Sequence, residues 1–234
     1  MHNANRATQR PEPAHLPQHR QPVVLDDLRF RSLLGSAAWC RLPVAVQARF
    51  AKRLCGDKSA GYAGRIMECR MSAAGMALAQ LCRVIGAPLP LSRDSGTAAL
   101  VTVTEDQDGG GQVWTRIYAK VKGFPQVIHS AKRFSGCTGL EEYLGGGIGI
   151  ALCVSTNHRG IRFEGDHYFL RVGGLRLRIP RLLAPGKLVI DHEDLGAGAF
   201  AFTLSLHHRF LGELIHQVGH FHDQCDAQSR GIVA

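Results

Sequence analysis

The sequence predicts an α+β fold in which N-terminal helices pack on a large curved antiparallel β-sheet or partial barrel. Three observations predict it. From Phe124 to Leu188 the chain is a series of short alternating segments broken by glycine. In it Ile161, Phe163, Phe169, Leu175, Leu177 and Ile179 recur at even spacing, interleaved with Arg162, Glu164, Arg176 and Arg178; a period of two means extended backbone with one buried and one wet face. Helical spacing is confined to the residues ahead of Gly86. No helix-like segment alternates with the later strands, so a parallel sheet is not expected.

Taken in order, residues 1–25 read as a disordered basic tail: residues 1–22 are polar and proline-rich and cannot bury enough apolar surface to order themselves. Asp26 and Asp27 precede Leu28, Phe30, Leu33 and Leu34, the pattern of a capped short helix ending near Gly35. A second helix is predicted from Pro43, with Val46, Phe50 and Leu54 on one stripe. Tyr62 to Met71 is ambiguous, with a strand as one reading. Ser72 to Ile85 reads as a helix capped by Ser72 and stopped by Gly86 and Pro88.

The period then changes to two. Strands are predicted at Leu100–Thr104, Val113–Val121, Val127–Phe134, Leu140–Leu144, Ile148–Ser155, Ile161–Val172, Leu175–Ile179, Lys187–His192, Phe200–His207 and Leu211–Phe221, separated by glycine-bearing turns at hairpin spacing. An open twisted sheet of that size tends to curl or close. One α+β domain is expected over residues 26–224, with a short tail at 225–234.

The 234 residues suffice for a substantial core, and their formal charge of +9 is uneven. Residues 1–53 hold nine Lys/Arg and three Asp/Glu, net +6, so the excess lies ahead of the sheet. A basic tail touches anionic partners without selectivity, so no specific nucleic acid is expected. Seven cysteines form no CxxC pair or finger spacing, which suits free thiols and a cytoplasmic protein. No apolar run approaches the roughly 20 residues of a membrane span.

The glycines at 109–111 sit between two strands, which favours a hairpin tip over a phosphate cradle. Gly145–Gly147 ahead of Ile148–Ile150 fails the dinucleotide pattern, since no strand there feeds a helix. It reads instead as a tight turn, and no cofactor is assigned. His192, His207, His208, His216, His220 and His222 crowd the last third. His216, His220 and His222 share one strand face, but exposed or core histidines are the default and no metal is assigned. Of the neighbours Glu141 and Glu142, one faces inward. An inward Glu142 pairs with Arg133 or Arg171 in the structural reading, and with His167 or His192 in an acid–base reading. Phe200, Phe202, Leu204 and Leu206 make one very apolar face, opposed by Ala199, Ala201, Thr203 and Ser205. The pattern suits a cavity wall and a filled core equally well.

Several short motifs together resemble a bacterial domain-of-unknown-function family, number 4166. They are Lys-Arg-Phe at 132–134, Gly-Leu-Glu-Glu-Tyr-Leu-Gly at 139–145, Gly-Ile-Gly at 147–149 and His-Tyr-Phe at 167–169. Gly-Leu-Arg-Leu-Arg-Ile-Pro at 174–180, Pro-Gly-Lys-Leu at 185–188, His-Glu-Asp-Leu-Gly at 192–196 and Leu-Gly-Glu-Leu-Ile-His-Gln at 211–217 continue the set, with Val-Trp-Thr-Arg at 113–116 upstream. The resemblance spans about residues 28–223 and implies no activity. It implies that members occur fused behind a nicotinamide-cofactor-binding, saccharopine-dehydrogenase-like domain. The stretch ahead of this domain is too short to be one, so such an oxidoreductase enters as a separate partner. The motifs also single out Arg133, Glu142, Tyr143, His167, Tyr168 and His192 as the set that orients a ligand's polar end.

The preferred reading is a non-enzymatic module whose sheet encloses an apolar or amphipathic small molecule. Two alternatives stay open: a cavity-type enzyme using His167 or His192 with Glu142 for proton transfer, and an accessory domain of the partner oxidoreductase.

Overall fold

A computed structural model of the chain describes residues 25–56 and 58–223. The expected C-terminal tail and, apart from Leu25, the expected basic tail lie outside the described residues, as does Cys225.

In chain order the elements are β1 (Leu25–Asp26), α1 (Arg29–Leu34), α2 (Ser36–Cys40), α3 (Val44–Phe50), β2 (Lys52–Arg53), β3 (Ser59–Met71) and α4 (Ala73–Leu81). A 3₁₀ turn follows at Cys82–Ile85, then β4 (Ala98–Asp106), β5 (Gly111–Tyr118), β6 (Gln126–Arg133), β7 (Leu140–Gly145) and β8 (Ile148–Thr156). The chain ends in β9 (Gly160–Val172), β10 (Leu175–Arg178), β11 (Lys187–Gly196), β12 (Ala199–His208) and β13 (Gly212–Asp223). All ten strands predicted after Leu100 are present, with ends shifted by a few residues.

The sheet closes. Strands run β9-β11-β12-β13-β3-β4-β5-β6-β7-β8 and return to β9, giving a ten-stranded antiparallel barrel. Closure removes the free edges of an open sheet. β9 is long enough to pair β11 through Gly160–Glu164 and β10 through Phe169–Val172 on the same edge, so the β9–β10 hairpin projects past the rim.

β3 lacks clean alternation because it carries a bulge. Its register with β13 slips between Val218 and Gly219, which pair with Glu68 and Ile66. Tyr62 and Ile66 point inward before the slip, and Cys69 and Met71 after it. A one-residue slip moves later side chains to the other face.

The helices do not lie on a sheet face as expected; they cover the barrel's two mouths. At one mouth, α1 and α3 insert Phe30 and Phe50, which meet edge-to-face with ring centres 5.1 Å apart. Phe30 also meets Phe134 and Phe163 from the barrel wall. Arg49 ties this plug to Asp223 and Asp194 at the ends of β13 and β11. Leu28 holds the N-cap position of α1 without a side-chain cap, and the Asp27 carboxylate just ahead of it accepts from the Arg29 amide. α3 ends at Phe50, so Leu54 is buried beyond the helix rather than on its stripe.

At the other mouth sits α4, with Ser72 Oγ accepting from the Gly75 amide as predicted. Gly75 itself touches β13: a Cβ there would fall 2.0 Å from the Leu214 carbonyl oxygen, so only glycine permits this approach. The β7–β8 turn needs glycine three times over, with φ of 114°, 56° and 77° at Gly145, Gly146 and Gly147. That turn rests on the 3₁₀ turn at Ile85. The glycine run is thus the tight turn that the sequence suggested.

Candidate functional site

Alternation in β5, β6 and β7 sends Trp114, Arg116, Tyr118, Ile128, Ser130, Lys132 and Glu142 into the barrel. Register sets Lys132 directly opposite Glu142 and Arg116 opposite Ile128. The three charges therefore meet halfway along the interior. Arg116 Nη2 lies 3.2 Å and Lys132 Nζ 3.0 Å from separate oxygens of Glu142, and Ser130 Oγ donates to the same carboxylate at 2.6 Å. All three charged side chains are at most 10% exposed. Burial pushes the Glu142 carboxyl up, but Lys132 and Arg116 outweigh it and hold it at about 2. Burial pulls Lys132 below the ordinary lysine value, against the attraction of Glu142. Breaking such a buried group would strand a charge without water.

This cluster divides the interior. On the side of the helical plug the space is small, about 40 Å³, and is lined by aromatic residues with Lys132 and His192 at its wall. His192 stacks on Phe200 with ring centres 4.6 Å apart and meets Phe50 edge-on at 5.0 Å. Burial, helped by the Arg49 charge, drives its pKa down to about 3, so the ring stays neutral. On the α4 side the space is about 340 Å³. Its floor carries Arg116, Glu142 and Gln217, and its wall Ile150, Tyr168, Phe202 and Leu204. Leu81, Val84 and Leu183 stand at its opening. Burial raises the Tyr168 phenol above its ordinary value. The volume and the mostly apolar lining with a few converging polar groups are those of small-molecule sites.

The six residues singled out by the motifs separate. Glu142 and Tyr168 line the large cavity, and His192 lies in the other compartment. Arg133, Tyr143 and His167 are on the outer face. There Arg133 pairs with Asp106 and lies over the Tyr143 ring at 4.6 Å, so neither Arg133 nor Arg171 is the partner of Glu142. Tyr143 donates to Glu141 at 2.8 Å, and Arg176 pairs with that same buried carboxylate. His167 Nδ1 lies 2.6 Å from Asp166. Of the two adjacent glutamates, Glu142 is the inward one.

Arg116 and Lys132 were absent from the predicted set, although both sit in the motifs at 113–116 and 132–134. Their signal is parity: Arg116 shares a face with Trp114 and Tyr118, and Lys132 with Ile128. A lone charge on the apolar phase of a strand marks a buried ion pair. His216 and His220 pair across β12 and lie outside the barrel, and among the described residues no group of three or more His, Cys, Asp or Glu is placed to hold a metal ion.

A family model described as a domain of unknown function (DUF4166) matches residues 42–221, from just ahead of α3 to the last strand. The chain belongs to that family. The DUF4166 match thus takes in the barrel but for the last two residues of β13, with the charged floor and the large cavity, and leaves α1 and α2 outside it. No curated protein and no solved structure matches the chain. Among the described residues no helix is long and apolar enough to cross a membrane.

Proposed function

We propose that this barrel is a non-enzymatic binding module that takes an apolar or amphipathic small molecule into the cavity on the α4 side. The observation that carries the reading is the cavity itself, about 340 Å³ of largely aliphatic space open at one end. It is large enough for a small ligand and too apolar to be stable as a wet cleft. The ligand's apolar part would lie against Phe202, Leu204 and Ile150. Its polar end would sit over Arg116 and Gln217, with the Tyr168 hydroxyl within the same wall. Glu142 serves to keep the Arg116 guanidinium in place. A carboxyl held at about 2 stays ionised at neutral pH and is a poor proton donor or acceptor there. This favours binding over the proton-transfer alternative.

Native mass spectrometry of the purified chain, followed by organic extraction, tests the proposal. A stoichiometric adduct released by solvent is expected, or uptake of added decanol or decanoate by the stripped protein. Leu204→Trp fills the cavity and should abolish that uptake while leaving the melting temperature unchanged or raised, since filling a cavity is commonly stabilising by about 0.5–2 kcal/mol. A chain that carries no adduct and takes up neither probe would rule the reading out.

A further inference from the structure

The rim of the large cavity is apolar where it faces solvent and basic beside it. Leu81 and Val84 on the α4 side, and Leu175, Leu177, Leu182 and Leu183 on the segment after β9, are between 53% and 89% exposed. Two stretches of chain supply this rim. The one from His167 to Ile190 holds five Lys/Arg and no Asp/Glu; the one from Cys69 to Arg93 holds three Lys/Arg and no Asp/Glu. Arg83 stands beside Leu81 and Val84, and Arg181 beside Leu182, all exposed. The Gly145–Gly147 turn bridges the two stretches, packing on Ile85 of the 3₁₀ turn through Gly145 and Gly146 and on Arg171 through Gly147. A contiguous exposed apolar patch on a soluble fold marks an interaction surface. In the fold Arg70, Arg176, Arg178 and Lys187 are matched by carboxylates of neighbouring strands, and Arg83, Arg93, Arg171 and Arg181 are left with no carboxylate within 4 Å among the described residues. Leucines mixed with these unmatched arginines fit a surface that is apolar within and negative at its face.

We propose that this rim docks on an anionic lipid bilayer, with the leucines entering the headgroup boundary and the arginines meeting lipid phosphates. The proposal rests on the binding reading above, because docking would set the cavity opening against the bilayer and let an amphipathic molecule move between the two without crossing water. Basic residues near an anionic leaflet each add attraction, and the apolar side chains add insertion.

The test is sedimentation of the full chain with vesicles of phosphatidylcholine alone, and of phosphatidylcholine mixed with phosphatidylglycerol. Binding to the mixed vesicles, weakened by added salt, is expected. The pair Arg83→Gln and Arg181→Gln should weaken it by about fivefold per cation removed. The pair Leu177→Glu and Leu182→Glu should abolish it. These four side chains are exposed, so circular dichroism should be unchanged. Binding that ignores all four substitutions, or no binding to either vesicle, overturns the proposal. So does a concentration-dependent dimer that the leucine changes dissolve, which would make the face a self-interface. Native mass spectrometry of the same variants separates the two readings. Lost docking with the ligand retained is expected if both hold, whereas docking retained by a chain that takes no ligand defeats the cavity reading alone.

Discussion

One mouth of the barrel is stopped by Phe30 and Phe50, with Phe134, Phe163, Phe200 and His192 packed around them. The other is walled by Ile150, Phe202 and Leu204 under a short helix and left open. Both lie inside one ring of strands with the same hydrogen-bonded ladder. The difference is what enters from outside the ring: three helices with aromatic anchors at one end, a single glycine-seated helix at the other. Ten strands enclose more width than side chains of one layer can fill. The aromatic end fills that width, at a cost in available space, and the aliphatic end leaves it. Aromatic packing is therefore concentrated at one end and open space at the other, with the Lys132–Glu142–Arg116 floor between them.

Removing the floor should have the largest effect. Glu142→Ala leaves two buried cations without their carboxylate and should cost about 3–5 kcal/mol, read from urea unfolding. If it costs under 1 kcal/mol, the two compartments are not held apart by this group. Phe30→Ala opens the plugged end and should cost about 3 kcal/mol, while uptake of decanol or decanoate at the far end, as the binding proposal has it, should be unchanged by native mass spectrometry. A large loss of ligand would show that the ends are coupled.

A pH series sharpens the same contrast. His192 is neutral in the folded state, with its pKa lowered from 6.5 to about 3, so the unfolded chain binds a proton first as the solution is acidified. Stability is full above pH 6.5 and falls as pH drops toward 3, at up to about 1.4 kcal/mol per unit from this group. Glu142, lowered from 4.5 to about 2, adds its own loss only below pH 4.5. Between 6.5 and 4.5, His192→Phe should remove a loss of about 2 kcal/mol from the thermal unfolding profile. The smallest effect is expected from Ser72→Ala, which removes the cap of α4 for about 1 kcal/mol and should loosen the open mouth without touching the plug. Hydrogen exchange confined to Ala73–Leu81 would check it.

The strands were legible because each exposes one face and buries the other, and ten of them between Leu100 and Phe221 announce themselves by alternation. β3 was not, because its bulge moves Cys69 and Met71 off the parity of Ile66. Closure into a barrel depends on β8 meeting β9 along Ile148–Leu170 as well as β7, a pairing that alternation cannot distinguish from a sheet edge. Adjacency required one of Glu141 and Glu142 to face inward, but neither the choice of Glu142 nor its partners followed from it. Arg133 was the neighbour named by the motif, and it points outward; Lys132, one residue earlier, points in. Motif membership groups residues along the chain, whereas the barrel wall sorts them by parity, and so Arg133, Tyr143 and His167 finish on the far side of the strand from Glu142, Tyr168 and His192.

The charged floor also has a kinetic consequence. It makes the large cavity a blind well: if the proposed binding holds, a guest that enters past Val84 and Leu183 would have no exit through the aromatic end and would leave by the way it came. Loading and unloading then share one gate, so any change at the α4 mouth should speed or slow both rates together and leave the equilibrium occupancy nearly untouched. Residence time would be set by the lip of the well and affinity by its walls, two properties carried by separate residues.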